Sequence, residues 1–341
     1  MDIILNIKAI YVATAIFALI SIAYISRPNE LTLQDNLDTQ KEFFDYIISF
    51  GKRYVDNSEF GIRYSNFRKS LEIVRAHNSK NEISYTMGIN QFSDWNQQEI
   101  DIFLTLKVDN NEEGVKNYAP KSGVSAPTSV DWRTQGVLNP IKDQGSCGSC
   151  WAFSAIGAFE AAFKQLTGEL RDFSEQLLVD CNRGTFIFGN QGCNGGLMNT
   201  AYDWMKTNNA ALTADFPYVA KDQTCNKSYK QFSAKVKSYV IVAENDDALR
   251  EAIALQPVAV AIQANQDSFM KYQDGIIDNC ADTRLDHGII AVGYGVENGK
   301  QYYVIRNSWG PRWGDQGHAK IAADKTSCGI RQKASYPIAT R

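Results

Sequence analysis

The rhythm of hydrophobic and polar positions changes several times along this chain, and each change predicts a different element. Residues 9–25 form an uncharged apolar run after Lys8. Its length lies between a secretory hydrophobic region and a spanning helix. Ser21 and Ala23 are small, and polar sequence follows at once, so the reading is a cleaved signal peptide over residues 1–23, with an uncleaved anchor as the alternative. Residues 32–106 then turn helical and charged. Phe43, Phe44, Ile47 and Ile48 recur at helical spacing, and Tyr46 and Phe50 widen the apolar side. Further on, Glu59, Arg63, Phe67, Ser70, Val74 and Asn78 fall along one stripe of a second helix. Residues 107–125 read as linker, with few apolar positions.

A third regime starts where a glycine-rich loop gives way to Ala152, Phe153, Ala155, Ile156, Phe159, Ala162 and Phe163, a strongly helical pattern. Ser174 has the character of a helix cap, and another helical stretch falls around 198–206. Beyond Asp215 the pattern becomes strand-like at about 234–242, 258–263, 287–292 and 301–306. Helices first and strands later predict an α+β arrangement of two lobes with a site between them.

The totals narrow the classes. With 341 residues the chain can form a large core and carry an appendage. Its charge is nearly balanced: 13 basic and 16 acidic side chains lie in 1–125, and 22 of each follow. Neither part is basic, which argues against nucleic acid as a partner. Seven cysteines, all from Cys147 onward, suit three disulfides and one free thiol in an oxidising compartment. The count alone leaves their pairing open.

The candidate chemistry centres on Gln144-Gly145-Ser146-Cys147-Gly148-Ser149-Cys150-Trp151. A cysteine where a loop enters a helix meets unpaired N–H groups, whose partial positive charge favours thiolate, the nucleophilic form. Cys147-x-x-Cys150 also has dithiol spacing, but a thioredoxin motif places its tryptophan before the first cysteine. Zinc would need two further ligands at comparable spacing, and no second pair of that kind occurs.

The Cys147-Gly148-Ser149-Cys150-Trp151 stretch resembles the nucleophile region of papain-like cysteine proteases, in particular the cathepsin L group. Leu285-Asp286-His287-Gly288 and Ile305-Arg306-Asn307-Ser308-Trp309-Gly310 extend the likeness downstream. The stripe from Glu59 to Asn78 is similar to one propeptide motif of that group, with Ser70 and Val74 as departures. Gly88-x-Asn90-x-Phe92-x-Asp94 is similar to the second.

The resemblance implies a papain-like fold with a helical lobe and a β-barrel-like lobe, behind a mainly helical propeptide over 32–106. It implies a peptidase domain over 126–341, with processing near Ser125 and Ala126, and a zymogen activated in acid by propeptide removal. Cys150 would be the nucleophile, and Gln144 an oxyanion donor. The sequence has three histidines. His77 lies in the propeptide region and His318 reads as structural, which leaves His287 as the base, oriented by Asn307 and covered by Trp309. The implied disulfides are Cys147–Cys193, Cys181–Cys225 and Cys280–Cys328. Gly195 and Gly196 would line the substrate strand, while Leu197, Met198, Ala259, Leu285 and Lys333 would form the second specificity pocket. Phe186-Ile187-Phe188 reads as an insertion packed on its lobe, too short to occlude the cleft.

No metal or cofactor is expected. The expected partners are peptide and protein substrates and the chain's own propeptide, with no stable membrane association after processing. The expected state is a monomer, lysosomal or secreted. Asn226-Lys227-Ser228 is one acceptor pattern for N-glycosylation.

Overall fold

A computed structural model describes residues 30–106, 126–184, 189–323 and 327–341, with side chains from residue 35. The expected signal peptide, the linker 107–125 and Phe186-Ile187-Phe188 lie outside the described residues.

The chain divides into two compact units, Met1–Arg68 and Lys69–Arg341. In the first, helix α1 (Glu30–Phe50) and the start of α2 (Asn57–Asn78) enclose an aromatic core. Phe43 and Phe67 are buried with ring centroids 5.2 Å apart, and Tyr46, Tyr54, Phe60 and Tyr64 surround Phe43. Glu59 and Arg63 pair along α2 at 3.4 Å.

The second unit begins within α2. Asn78 receives the Met87 N–H and donates to its carbonyl, at 3.0 and 2.8 Å, which fastens strand β1 (Tyr85–Met87). A capping box at Asn96 and Glu99 starts the short helix α3 (Gln97–Phe103). Next comes strand β2 (Val130–Asp131), and then the helical lobe, with α4 (Cys150–Thr167), α5 (Glu175–Cys181, capped by Ser174) and α6 (Met198–Thr207). The β-rich lobe carries β3 (Lys235–Ile241), α7 (Asp246–Leu255), β4 (Val258–Ile262), α8 (Asp267–Met270), β5 (Tyr272–Ile277), β6 (His287–Glu297), β7 (Lys300–Arg306), β8 (His318–Ala322) and β9 (Ala334–Thr340).

The strands follow the order β1-β5-β8-β7-β6-β4-β9-β3, with β2 beside β6. All pairings are antiparallel except β5 with β8. The expected barrel-like lobe is therefore an open sheet. Its edges are taken up elsewhere: β1 from the amino-terminal region covers β5, while β3 is drawn to the helical lobe, where Tyr239 packs on Tyr202 at 5.6 Å.

Helix α4 joins the lobes. Ser154 donates to the Ile289 carbonyl at 2.6 Å, and a Cβ added at Gly157 would lie 2.3 Å from Ile290 Cδ1, so glycine permits that approach. Beneath the joint, Lys142 reaches Glu160, Asp172 and Glu175 at 2.6–3.0 Å. Burial raises the Glu175 carboxyl above the usual carboxylate range, against the pull of the Lys142 ammonium.

Candidate active site

Cys150 opens α4, with Ser149 at the cap and no side-chain capping bond there, so the helix's first N–H groups face the sulfur's surroundings. It is fully buried and is the one free cysteine among the described residues. The other six form disulfides: Cys147–Cys193, Cys181–Cys225 and Cys280–Cys328.

His287 begins β6 and is fully buried. Its Nε2 lies 2.8 Å from Asn307 Oδ1, an oxygen that also accepts the Ser308 N–H at 2.8 Å. The Trp309 ring stacks on the imidazole with centroids 4.6 Å apart, and Phe269 stands edge-on behind. The Nδ1 of His287 makes no hydrogen bond to any described residue. The neighbouring Asp286 accepts the Ala264 N–H at 2.7 Å.

Gln144 is fully buried and fixed on three sides. Its Nε2 donates to the Cys147 carbonyl at 2.9 Å, its Oε1 accepts from Ser308 Oγ at 2.7 Å, and its backbone N–H donates to the Ser308 carbonyl. Tyr218, which has no motif signal, braces the loop by donating to the Gln144 carbonyl at 2.8 Å and lying 2.7 Å from Ser149 Oγ. Asn190 is a second unforeseen support, since its Oδ1 accepts the Leu197 N–H at 2.6 Å.

Gly195 and Gly196 are both closely approached. A Cβ at Gly195 would lie 2.0 Å from the Thr105 carbonyl oxygen, and one at Gly196 would lie 2.5 Å from Asn190 Oδ1. Met198, Ala259 and Leu285 share one buried cluster with Cys150. Leu197 is half-buried at the start of α6. Lys333 is half-buried beside β4, where its carbonyl accepts the Ala261 N–H at 2.9 Å.

The residues that sequence reasoning did not place are Leu104, Thr105 and Leu106. Thr105 Oγ1 donates to the Gly148 carbonyl at 3.0 Å, and the Leu106 N–H donates to the Asp286 carbonyl at 3.1 Å. The Leu106 side chain joins the cluster of Met198, Ala259 and Leu285. Upstream, Asn90 donates to the Met270 carbonyl, and Phe92 and Phe103 pack on Trp309 at 4.9 and 5.7 Å. The segment 90–106 thus lies against the loop before Cys150, the residue before His287 and Trp309. The apolar pair ahead of the linker was the one available signal.

Burial sets the electrostatics here. Burial pushes the Cys150 thiol up to about 12, against the pull of the Gly288 and Trp151 N–H groups. It also holds the His287 imidazole down to about 4, against its bond to Asn307. Both shifts disfavour charge, so burial favours the thiol form of Cys150 and the neutral form of the His287 imidazole. Among the described residues no group of His, Cys, Asp and Glu is arranged to hold a metal ion.

Residues 126–338 match the family model of the papain family cysteine proteases, and residues 43–100 match that of the cathepsin propeptide inhibitor domain (I29). The probable cysteine protease RD21B of Arabidopsis thaliana is 41% identical over 320 residues, which cover 90% of this chain and 68% of the relative. A cathepsin L-like peptidase of Aedes aegypti is 36% identical over 337 residues, 93% of this chain and 98% of the relative. The solved structure of digestive procathepsin L 3 from Tenebrio molitor larval midgut superposes with a TM-score of 0.79 at 31% identity, covering 88% of this chain and 98% of that one. The chain belongs to the papain family of cysteine proteases. It is a papain-like cysteine endopeptidase in its zymogen form, with an inhibitory propeptide on the same chain.

Proposed function

We propose that the chain hydrolyses peptide bonds through Cys150 and His287. The carrying observation is that a cysteine at a helix N-terminus and an imidazole anchored to Asn307 at 2.8 Å are both fully buried, while Thr105 and Leu106 bond to Gly148 and Asp286 next to them. Once that segment leaves, water returns to the cleft. The thiol then passes its proton to the Nδ1 of His287, and the thiolate attacks the substrate carbonyl. The imidazolium protonates the leaving amine, and water activated by His287 releases the acyl group.

Asn307 holds the ring from the far side, and Trp309 shields that bond from solvent. The second amide hydrogen of Gln144 and the Cys150 backbone N–H are the oxyanion donors. Gly195 and Gly196 pair with an extended substrate, whose apolar side chain enters the pocket of Leu197, Met198, Ala259 and Leu285, with Lys333 at its mouth. Leu106 holds that pocket in the zymogen. The domains are a signal peptide over 1–23, a propeptide over 32–106, a linker over 107–125 and a peptidase over 126–341. The chain enters the secretory pathway and is activated in acid, in a lysosome or outside the cell, as a monomer.

The test is hydrolysis of a fluorogenic dipeptidyl-arginine amide by the acid-processed protein, compared with separately processed Cys150→Ser. The wild type should turn over and the variant should not. Comparable turnover by purified, processed Cys150→Ser would remove the assignment.

A further inference from the structure

We propose that Asn226 is an N-glycosylation site, its side-chain amide nitrogen taking an oligosaccharide from a lipid-diphosphate donor. The inference rests on the reading that the chain enters the secretory pathway. Asn226-Lys227-Ser228 is the chain's single Asn-x-Ser/Thr triplet with no proline in the middle. A triplet is used to lasting effect only where the folded protein leaves room for a bulky, hydrated branch.

Here the room exists. Asn226, Lys227 and Ser228 are all exposed. The Asn226 side chain also presents the correct atom. Its Oδ1 accepts the Ser228 N–H at 3.0 Å, whereas its Nδ2 donates to no described residue. Replacing one Nδ2 hydrogen by a sugar carbon therefore breaks no hydrogen bond to a described residue, and the oxygen keeps its own.

The turn is held at both ends. Cys225 is tied to Cys181. On the other side Tyr229 donates its hydroxyl to the Asn209 carbonyl at 2.7 Å and sets its ring edge-on to Phe216. Oligosaccharide transfer takes place on the unfolded chain, before that disulfide closes. An inward-facing Asn226 would trap the glycan beside a closing Cys181–Cys225 bridge, and the outward one does not. The step balances without a redox partner. The Asn226 Nδ2 bonds to the anomeric carbon, the bond from that carbon to the diphosphate breaks, the lipid diphosphate leaves, and the amide proton goes to solvent.

The experiment is cell-free synthesis of the full chain with microsomes, reading protease protection and mobility before and after peptide N-glycosidase. The wild type and Ser228→Thr should be protected and carry one step of retarded mobility that the glycosidase removes. Asn226→Gln and Ser228→Ala should be protected and lack the step. A protected wild-type chain without the step, or one still retarded in Asn226→Gln, overturns the site while secretory entry stands. A chain left unprotected overturns secretory entry, and the site with it.

Discussion

Leu106 donates its backbone N–H to the carbonyl oxygen of Asp286 at 3.1 Å, one residue before His287. The inhibitory segment is thereby tied to the strand that carries the histidine, and its leucine fills the space beside Met198 and Leu285. Truncating that side chain removes buried apolar contact worth about 2–3 kcal/mol. Leu106→Ala should shorten the lag of autoprocessing at neutral pH roughly ten-fold or more. A time course by gel checks it, and an unchanged lag would show that Leu106 does not hold the cleft shut.

The proposed orienting role of Asn307 makes a separate prediction. Asn307→Ala frees the imidazole to rotate but leaves thiol and base in place. kcat/KM should fall by about one to two orders of magnitude, or about 1.4–2.7 kcal/mol. Loss as complete as that in Cys150→Ser would mean that Asn307 does more than orient.

The pH dependence of the closed zymogen follows from the same burial. His287 has an ordinary value of 6.5 and is held to about 4 under the propeptide. Its contribution is whole above about 6.5 and is lost as pH falls toward 4, a difference of about 3 kcal/mol at most. Cys150, raised from 9.0 to about 12, contributes fully below 9.0 and loses its share as pH rises toward 12. Asp286, lifted from 3.8 to about 6 by burial, works against His287 in acid: its contribution is present below 3.8 and lost as pH rises through 6. A subtraction isolates the histidine. In an unprocessed Cys150→Ser background, adding His287→Ala should raise relative stability progressively between pH 6.5 and 4. Thermal unfolding across that range reads it, and a constant offset would contradict the burial argument.

Lys333 bears on specificity. The proposed second pocket includes Lys333, half-buried beside β4, with its long side chain at the cleft mouth. There it opposes a basic substrate side chain by about 1 kcal/mol, roughly five-fold in kcat/KM. Peptide amides with leucine, arginine or glutamate at the second subsite should rank arginine below glutamate for the wild type and above it for Lys333→Glu. Equal arginine-to-glutamate ratios in the two proteins would place Lys333 away from substrate.

What could be read from the sequence was what short motifs carry. The loop into α4, the strand starting at His287 and the Asn307-Ser308-Trp309 run are local patterns, and the structure sets the latter two side by side. The second propeptide motif was legible as a motif, but its docking of Phe92 on Trp309 joins residues 217 positions apart and has no local signature. The same holds for Thr105 against Gly148 and for β1 on the edge of β5. The open sheet was misjudged because alternation specifies which face of a strand is buried and says nothing about whether the last strand meets the first.

The central claim is that Cys150 is the nucleophile and that the propeptide keeps it covered and uncharged. The direct measurement is mass spectrometry after treatment with an irreversible thiol-directed epoxide, applied to the intact zymogen at neutral pH and to the processed enzyme. One adduct on Cys150 is expected in the processed enzyme, with activity lost in proportion, and almost none in the zymogen. An adduct on another residue, inactivation without modification of Cys150, or equally fast labelling of the zymogen would contradict it.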